Sequence, residues 1–318
     1  MRAVYYERFG GSEVLTVGEL PTPEPASGEV LIRIHAASVN PVDWKIREGF
    51  FDGIFPHRFP IIPGWDAAGE VAGLGDGVTE MQIGSRVYAY CRKPVVHGGT
   101  YAELVTVPAG FVAPAPANLD DVETSTIPLA GLTVWQSLFE FAGLTAGQTI
   151  LIHAAAGGVG SLAVQLAAHA GARVFATTSA ANAAYVRELG AHRIIDYRQE
   201  NLGEVMGSEV PAGFDVVFDT VGGEVLGESY DLVRPGGALP ALNDAPDEAL
   251  CAQRGIRGLR VFSEPNGQHL SRLTGLIEAG ALRPAQIESF PLEQAALAMD
   301  RSQAGHVRGK LALAVGQR

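Results

Sequence analysis

The segment Gln148-Thr-Ile-Leu-Ile-His153 is a short apolar strand that runs directly into the glycine-rich turn Ala154-Ala-Ala-Gly-Gly-Val-Gly160. A buried strand, a tight turn and the start of a helix, in that order, form the fingerprint with which α/β folds hold a dinucleotide pyrophosphate. Gly157 would let the backbone approach the pyrophosphate, and Gly160 would let the helix pack closely on the strand. Ala155 replaces the first glycine of the usual motif. Such turns also occur for structural reasons alone, so the flanking sequence has to support the assignment.

The sequence around this turn alternates between strand and helix patterns. A helix pattern covers residues 159–170, a strand follows at 172–177, and a second helix pattern covers 180–189. Further strand-like runs lie at 193–196, 215–219, 237–242 and 259–262. Strands that alternate with helices indicate βαβ units and a parallel sheet. The predicted fold class is therefore α/β, with a doubly wound parallel sheet of the Rossmann type, and the glycine turn is interpreted as a dinucleotide site.

The remainder of the chain predicts a second, β-rich domain. Before about residue 121, short strand-like runs lie between turn-forming clusters such as Pro21-Thr-Pro-Glu-Pro25. After the parallel sheet is complete, two helix patterns and a final strand remain, and we expect them to return to the first domain. The predicted boundaries are residues 1–120 and 265–318 for the β-rich substrate domain and residues 121–264 for the Rossmann domain.

Composition excludes several classes of protein. The chain has 318 residues, of which 47% are hydrophobic and 18% charged, so it can bury sizeable cores. A formal net charge of −12 argues against a nucleic-acid groove. The sequence has no apolar run of about 18 residues, no secretory signal pattern and no paired cysteine motif. We therefore expect a cytoplasmic protein that takes a small-molecule substrate and binds neither nucleic acid nor a membrane.

The residues after the second strand of the parallel sheet decide which nicotinamide cofactor fits. Enzymes that select NAD place Asp or Glu about 20 residues beyond the glycine turn, where it binds the ribose 2′-hydroxyl. Here the strand ends with Phe175-Ala-Thr-Thr-Ser-Ala-Ala-Asn182, and no acidic residue occurs before Glu188. Because a carboxylate would repel a 2′-phosphate, its absence permits NADPH. Ser179 and Asn182 could donate hydrogen bonds to that phosphate, and Tyr197 follows the next strand.

Several segments, in this order and spacing, carry a resemblance to a known family. They are Val39-Asn-Pro-Val-Asp-Trp-Lys-Ile-Arg-Glu-Gly49, Gly64-Trp-Asp-Ala-Ala-Gly-Glu-Val71, Gly98-Gly-Thr-Tyr-Ala-Glu103, Pro128-Leu-Ala-Gly-Leu-Thr133, the glycine turn and Gly305-His-Val-Arg-Gly-Lys310. Together they resemble the medium-chain dehydrogenase/reductase superfamily, in its zinc-free quinone oxidoreductase (zeta-crystallin-like) branch. The resemblance implies a GroES-like substrate domain beside the Rossmann domain, and a homodimer joined through the Rossmann sheet edge near Leu259–Phe262.

The resemblance also implies chemistry without zinc. Zinc-dependent alcohol dehydrogenases of the superfamily carry a catalytic Cys where this chain has Asn40, and a His where it has Trp65. They also carry a lobe of four close cysteines, which Cys91 and Cys251 cannot build. A zinc enzyme polarises an alcohol or carbonyl as a Lewis acid. Without the metal, we expect reduction of an acceptor that is already activated, namely a quinone or an α,β-unsaturated carbonyl.

The candidate catalytic residues are Asn40, Lys45 and Thr133. Asn40 and Lys45 follow a strand closely and could offer polar groups to the substrate carbonyl. Asn40 could equally cap a turn and Lys45 could be a solvated side chain, while Asp66 is expected to cap backbone N–H groups. By resemblance, Thr133 lies near the nicotinamide.

The candidate cofactor-binding residues form a longer set. They are Ala155, Gly157, Gly158, Val159, Gly160, Ser179, Asn182, Tyr197, Val221, Asn243 and Lys310. Val221, Asn243 and Lys310 rest on the resemblance, and Lys310 could instead be a surface charge on the final strand. His153 is expected to pack at the end of its strand.

Two other functions stay open from the sequence. The stretch Leu151–Gly160 also resembles the enoyl reductase modules of polyketide synthases, so an enoyl-thioester reductase is one alternative. A non-catalytic NADPH-binding protein is the other, because metal-free members of the superfamily include such proteins. The apolar segment Phe50–Phe55 could line a hydrophobic substrate entrance or form a small core under a loop.

Overall fold

The computed structural model describes residues 1–305 and 307–316, so His306 of the Gly305–Lys310 segment lies outside the described residues. The strands are β1 (Arg2–Tyr5), β2 (Thr16–Glu19), β3 (Glu29–Val39), β4 (Asp66–Leu74), β5 (Arg86–Tyr90), β6 (Leu104–Pro108), β7 (Val112–Pro114), β8 (Thr149–Ile152), β9 (Arg173–Thr178), β10 (Arg193–Asp196), β11 (Phe214–Phe218), β12 (Val233–Ala241), β13 (Arg257–Arg260), β14 (Ile287–Pro291) and β15 (Lys310–Ala314).

The α-helices are α1 (Pro41–Arg47), α2 (Asp121–Ser125), α3 (Pro128–Trp135), α4 (Gly158–His169), α5 (Ala183–Glu188), α6 (Leu202–Glu209), α7 (Glu224–Ser229), α8 (Glu248–Arg254), α9 (Gly267–Glu278) and α10 (Ala295–Gln303). Short 3₁₀ helices lie at Ser12–Val14, Ala109–Phe111, Ala180–Asn182 and Leu292–Gln294, and a π-helix lies at Gln136–Phe141. Within the part of the chain that is described, no helix is both long enough and apolar enough to cross a membrane.

The chain divides into two compact units. The first unit contains Met1–Leu132, Glu264–Gly280 and the chain from Pro284 onward, and the second contains Thr133–Ser263 with Ala281–Arg283. Both ends of the chain therefore contribute to the first unit, whereas the second is nearly continuous.

Residues 121–132 pack with the first unit, although the sequence analysis placed them with the Rossmann domain. Helix α2 lies against β3 and β4. Its first residue, Asp121, is hydrogen-bonded to His35 Nδ1 at 2.8 Å and forms an ion pair with Arg86 at 2.7 Å. The strands that this segment packs against are set by contacts distant along the chain, which a local sequence pattern does not show.

The first unit is built around a largely antiparallel sheet with the strand order β14-β15-β3-β4-β5-β7, in which β6 also pairs with β3. Strand β3 alternates buried and less buried residues at its start, and from Ile34 onward every residue is buried. Its end therefore carries Ser38 into the interior, with Asn40 directly after it. The predicted β-rich domain is confirmed.

The second unit is a six-stranded parallel sheet with the order β10-β9-β8-β11-β12-β13. The chain winds outward from β8 through β9 to β10, and then outward in the other direction from β11 through β12 to β13. The predicted doubly wound Rossmann sheet is confirmed. In such sheets ligands bind outside the carboxyl ends of the strands, at the point where the winding reverses. Here that point lies between β8 and β11.

Candidate active site

The glycine turn joins β8 to α4 at the reversal point of the second unit. Helix α4 begins at Gly158, with Gly157 as the residue before it in extended conformation. Because Gly157 has no side chain, it caps none of the first N–H groups of the helix. The first-turn residues Gly158, Val159 and Gly160 have N–H groups with no partner inside the helix. This helix terminus can therefore hold a phosphate anion.

Two glycines of the turn have different surroundings. A Cβ on Gly160 would lie 2.4 Å from the carbonyl oxygen of Ala154, so only glycine lets α4 lie against the turn. A Cβ on Gly157 would meet that same oxygen at 3.3 Å and no other described atom within 4 Å. The backbone at Gly157 is thus open to an approaching ligand.

The residues before the turn are held from β9. Ala154 has a positive φ of 48°, which is uncommon for a residue with a side chain. Its N–H donates to Thr177 Oγ1 at 3.2 Å, and the N–H of Ala155 donates to the carbonyl oxygen of Thr177 at 3.0 Å. These bonds fix the backbone from which the glycine turn departs.

His153 closes strand β8 and is buried. Its ring nitrogens lie 3.3 Å from Thr177 Oγ1 and 3.2 Å from Ser229 Oγ. Burial lowers the pKa of His153 to about 4, so the ring is neutral at physiological pH. A neutral ring enclosed by two hydroxyls has a packing role, as the sequence analysis expected.

A second turn lies beside the first, at the carboxyl ends of β11 and β12. Buried Asp219 accepts hydrogen bonds from the N–H groups of Val221 at 2.7 Å and Gly222 at 3.0 Å. Asn243 Nδ2 donates to the carbonyl oxygens of Thr220 and Val221, both at 3.1 Å. The structure therefore brings Val221, in the turn after β11 that Asp219 organises, together with Asn243, which follows β12.

The carboxyl ends of β9 and β10 carry the residues predicted for the 2′-phosphate. Thr178 and Asp196 are register partners, so Ser179 and Tyr197 follow neighbouring strands at the same edge. Asn182 Nδ2 lies 3.5 Å from Ser179 Oγ. Arg198, which the sequence analysis did not assign a role, has its guanidinium 5.5 Å from the centroid of the Tyr197 ring. This edge thus combines hydroxyl, amide and guanidinium donors.

The first unit contains a buried polar cluster, which we call the Asn40 cluster and define as Ser38, Asn40, Asp66 and Lys310. Lys310 Nζ donates to Asn40 Oδ1 at 2.5 Å and lies 3.9 Å from Asp66 Oδ2. Asn40 Nδ2 donates to the same Asp66 oxygen at 2.9 Å and contacts Ser38 Oγ at 3.4 Å. The Ser38 hydroxyl donates to Asp66 Oδ2 at 2.6 Å.

Burial decides several of the sequence-based alternatives for this cluster. Lys310 is only 6% exposed, so the interpretation of Lys310 as a surface charge was wrong. The opposing Asp66 and the amide of Asn40 make this burial tolerable. Asp66 Oδ1 accepts from the backbone N–H of Leu129 at 2.7 Å, so its expected capping role is confirmed at the start of α3. Whether Lys310 also contacts a cofactor stays a prediction.

Asn40 is also the N-cap residue of α1, directly before Pro41. Its backbone N–H donates to Asp43 Oδ2 at 2.8 Å, and the Tyr101 hydroxyl donates to the same oxygen at 2.9 Å. Asp43 Oδ1 is buried and has no hydrogen-bond partner among the described residues. Burial raises the pKa of Asp43 to about 7. Asn40 therefore has the structural role that the sequence analysis left open, in addition to any contact with substrate.

An aromatic row leads from the surface of the first unit toward the Asn40 cluster. Phe51 and Phe55 stack with their centroids 5.2 Å apart, and Phe55 meets Trp65 edge-on at 6.1 Å. Trp65 in turn meets Tyr90 edge-on at 6.0 Å and directly precedes Asp66. Phe50, which precedes Phe51 in the sequence, meets Trp44 edge-on at 5.8 Å and is 64% exposed. The Phe50–Phe55 segment thus contains both packed aromatic side chains and one exposed aromatic side chain.

The other two candidate catalytic residues, Lys45 and Thr133, belong to different units. Lys45 is half-buried on α1, with its ammonium 5.7 Å from the centroid of the Trp44 ring. Thr133 is the first residue of the second unit and donates to Ser263 Oγ at 3.1 Å. The structure therefore gathers Asn40 and Lys310, and places Lys45 on the same unit as both.

Comparison with known proteins identifies the class to which this site belongs. Residues 26–117 match the model of the alcohol dehydrogenase GroES-like domain, and residues 189–313 match the model described as zinc-binding dehydrogenase. The chain is 33% identical over 320 residues to the chloroplastic NADPH-dependent alkenal/one oxidoreductase of Arabidopsis thaliana, covering 98% of this chain and 78% of the relative.

Solved structures agree with this class. The quinone oxidoreductase from Coxiella burnetii has a TM-score of 0.89 at 32% identity, covering 99% of both chains. The quinone oxidoreductase of Escherichia coli complexed with NADPH has a TM-score of 0.87 at 26% identity, covering 99% of this chain and 100% of that one. The chain belongs to the zeta-crystallin-like quinone oxidoreductase branch of the medium-chain dehydrogenase/reductase superfamily.

The description of one matching model names zinc, but the residues at the corresponding positions do not fit that metal. By the family resemblance these positions are Asn40 and Trp65. An indole offers only an N–H donor, and the one amide oxygen of Asn40 accepts from the Lys310 ammonium, which would repel a cation. Elsewhere in residues 1–305 and 307–316, no group of three or more His, Cys, Asp or Glu is arranged to hold a metal.

Proposed function

We propose that this chain is an NADPH-dependent oxidoreductase that transfers hydride to a quinone or α,β-unsaturated carbonyl acceptor without zinc. The proposal rests on the residues at the carboxyl ends of the parallel strands in the second unit. There, the uncapped start of α4 lies beside a strand whose end offers Ser179 and Asn182 where NAD-selective enzymes carry a carboxylate. The names of the relatives, an alkenal/one oxidoreductase and quinone oxidoreductases, support this choice of acceptor.

The residues at this edge fit NADPH. The N–H groups of Gly158, Val159 and Gly160 would hold the pyrophosphate, since a helix N-terminus favours negative charge. Ser179, Asn182 and Tyr197 would hold the 2′-phosphate, and the two neighbouring loops that contain Val221 and Asn243 would hold a ribose. Bound NADPH supplies the hydride from its nicotinamide C4.

The protein has to bind the acceptor and stabilise the charge that develops on its oxygen. Quinones and enones accept hydride because the added charge delocalises onto oxygen, and aligned hydrogen-bond donors stabilise that charge. In the first unit, Asn40 and Lys45 are the donors that we assign to this oxygen. In the second unit, we assign Thr133 to the nicotinamide. The aromatic row of Phe51, Phe55 and Trp65 offers a planar apolar surface to the acceptor.

A parallel assay of acceptors tests the proposal. NADPH absorbance is followed with a naphthoquinone, a 2-alkenal, a 2-enone and a crotonyl thioester, and we expect turnover with one or more of the first three. Fastest turnover of the thioester would favour the enoyl-thioester reductase. Tight NADPH binding without turnover of any acceptor would favour a non-catalytic protein. Rapid oxidation of a simple alcohol with NADP⁺, or stoichiometric zinc by elemental analysis, would overturn the zinc-independent reduction.

We also propose that the chain forms a homodimer through β13. This strand is one of the two edges of the six-stranded sheet, and Leu259 on it is 43% exposed. An open edge strand with exposed apolar residues is a ready partner for a second copy. Light scattering should give a dimer, and Leu259→Glu should shift it toward monomer.

The relative from Arabidopsis is chloroplastic, so the expected cytoplasmic location stays a prediction.

A further inference from the structure

We propose that Lys310 is a positioning residue: its ammonium fixes the amide of Asn40 in the orientation that turns an N–H toward the acceptor oxygen. The sequence analysis had assigned Lys310 to the cofactor. This inference rests on the proposed function, because the orientation matters only if an acceptor oxygen binds beside Asn40. The geometry of the Asn40 cluster supports it in four ways.

The register of the sheet brings the three residues together. In the pairing of β15 with β3, Leu311 lies opposite Val39, so Lys310 and Asn40 are the next residues along. In the pairing of β3 with β4, Ser38 lies opposite Asp66. Lys310 begins β15, Asn40 directly follows β3 and Asp66 begins β4, so the three residues come from the same end of three adjacent strands. Their proximity is a consequence of backbone pairing and does not depend on one flexible side chain.

The chemistry of the two partners permits only one orientation of the amide. An ammonium can only donate and an ionised carboxylate can only accept. Lys310 Nζ therefore requires the amide oxygen at 2.5 Å, and Asp66 Oδ2 requires the amide nitrogen at 2.9 Å. A rotated amide would place NH₂ against an ammonium and a carbonyl against a carboxylate. Both charge-assisted hydrogen bonds would become repulsive contacts.

One N–H of the Asn40 amide is held weakly. Nδ2 carries two hydrogens, of which one bonds to Asp66 at 2.9 Å while the other meets Ser38 Oγ at 3.4 Å. The Ser38 hydroxyl already donates its own proton to Asp66 at 2.6 Å. An oxygen that gains negative charge during hydride transfer is a stronger acceptor than this hydroxyl. The second Nδ2 hydrogen is therefore the donor available to the acceptor oxygen.

The Lys310 ammonium is poorly placed to bind a cofactor phosphate. It donates to the Asn40 amide and faces Asp66, whose side chain has no exposed surface. Withdrawing the ammonium toward a ligand would leave the Asp66 carboxylate buried without its counter-ion, which is costly. Lys310 acts through Asn40, and Asn40 is the residue that would contact substrate.

The test compares Lys310→Met and Lys310→Arg with the unmodified protein, and uses Lys93→Met as a matched loss of a basic side chain from the same unit. Three quantities are measured: the dissociation constant of NADPH, kcat and KM for the best acceptor, and the Asn40 side-chain NH₂ resonances in protein labelled with ¹⁵N-asparagine.

For Lys310→Met we expect an NADPH dissociation constant within about twofold of the unmodified value, kcat lower by about tenfold or more, and shifted Asn40 resonances. Lys310→Arg should restore the resonances and most of kcat, because arginine also donates to the amide oxygen. Lys93→Met should change none of the three.

Removing one charge from a buried pair can prevent folding, so a second variant keeps the inference falsifiable. The double variant Asp66→Asn with Lys310→Met removes both charges together, and should fold with the same kinetic and spectroscopic defects. An NADPH dissociation constant raised tenfold, with kcat and the Asn40 resonances unchanged, would overturn the positioning role in favour of cofactor binding. If the unmodified protein reduces no acceptor, the proposed function fails, while the resonances still report whether Lys310 orients Asn40.

Discussion

Asp43 Oδ2 accepts a hydrogen bond from the Tyr101 hydroxyl at 2.9 Å. Because Asp43 belongs to α1 and Tyr101 to the segment Gly98–Glu103, this bond joins two stretches of sequence that both carry the family resemblance. The same carboxyl oxygen also receives the backbone N–H of Asn40 at 2.8 Å. A side chain beside the candidate active site thus anchors the start of the helix that bears Lys45.

The protonation of Asp43 makes stability depend on pH in an unusual direction. Burial raises the pKa of Asp43 from 3.8 to about 7 in the folded protein. A group whose folded pKa is raised holds its proton more tightly when folded. Its contribution to stability is fully present below about pH 3.8 and is lost as the pH rises through about 7.

We expect Asp43→Asn to reduce this loss. An asparagine can accept the bonds from Asn40 and Tyr101 but does not ionise. The free energy of unfolding of the variant should therefore fall less between pH 4 and pH 7 than that of the unmodified protein, by about 4 kcal/mol at most. Urea unfolding at several pH values measures the difference. Parallel pH curves for the two proteins would show that Asp43 is ionised in the fold throughout.

The stability of the fold should depend on the planar shape of the Arg47 guanidinium and not only on its charge. This guanidinium is buried and donates to the carbonyl oxygen of Gly10 at 3.2 Å, to Glu48 at 2.9 Å and to Gln303 at 3.2 Å. A lysine keeps the positive charge, but its single ammonium cannot contact all three acceptors as the planar guanidinium does. Arg47→Lys should lower the free energy of unfolding by about 2–4 kcal/mol. Arg301→Lys, on the exposed face of α10, is the matched control and should change it by less than about 0.5 kcal/mol.

Alanine substitutions at Gly160 in the glycine turn and at Gly207 in α6 should have opposite effects on stability. At Gly160 the new Cβ would lie 2.4 Å from a backbone oxygen, so Gly160→Ala has to displace α4 from the turn. We expect a loss of about 1–3 kcal/mol in stability and weaker NADPH binding. At Gly207, inside α6, a Cβ meets nothing within 4 Å, so Gly207→Ala should stabilise by about 0.5–1 kcal/mol. Thermal unfolding with and without NADPH separates the two effects, and equal behaviour of the variants would contradict the contact at Gly160.

Local patterns and distant contacts differ in what the sequence reveals. The glycine turn and the alternation around it are encoded within short windows, and the predicted parallel sheet is confirmed for that reason. The bond between Lys310 and Asn40 joins residues 270 positions apart, and it depends on the register of β15 on β3. No periodicity in either segment encodes that register. The sequence therefore predicted a role for both residues, but could not predict that they touch or that Lys310 is buried.

The place of residues 121–132 shows the same limit. The unit to which this segment belongs is decided by Asp121, which contacts His35 on β3 and Arg86 on β5. Charged residues so far apart give no sign in the sequence that they are partners.

The end of β9 carries the final prediction, which concerns cofactor choice. Ser179 directly follows β9 and lies beside Asn182, whose Nδ2 is 3.5 Å from its hydroxyl. A carboxylate here would repel a 2′-phosphate and could accept the hydrogen bond of a ribose 2′-hydroxyl. Ser179→Asp should therefore lower kcat/KM for NADPH by at least about tenfold, equivalent to roughly 1.4 kcal/mol, and leave kcat/KM for NADH unchanged or higher.

The matched control is Ser208→Asp, which adds the same charge to the second unit near the end of α6, before β11 begins. It should leave the ratio of NADPH to NADH activity unchanged. Because net charge changes equally in both variants, a general electrostatic effect would alter both ratios alike. An equal fall in activity with both cofactors for Ser179→Asp would mean that this edge supports the fold without selecting the phosphate, and the assignment of Ser179 and Asn182 to the 2′-phosphate would then have to be withdrawn.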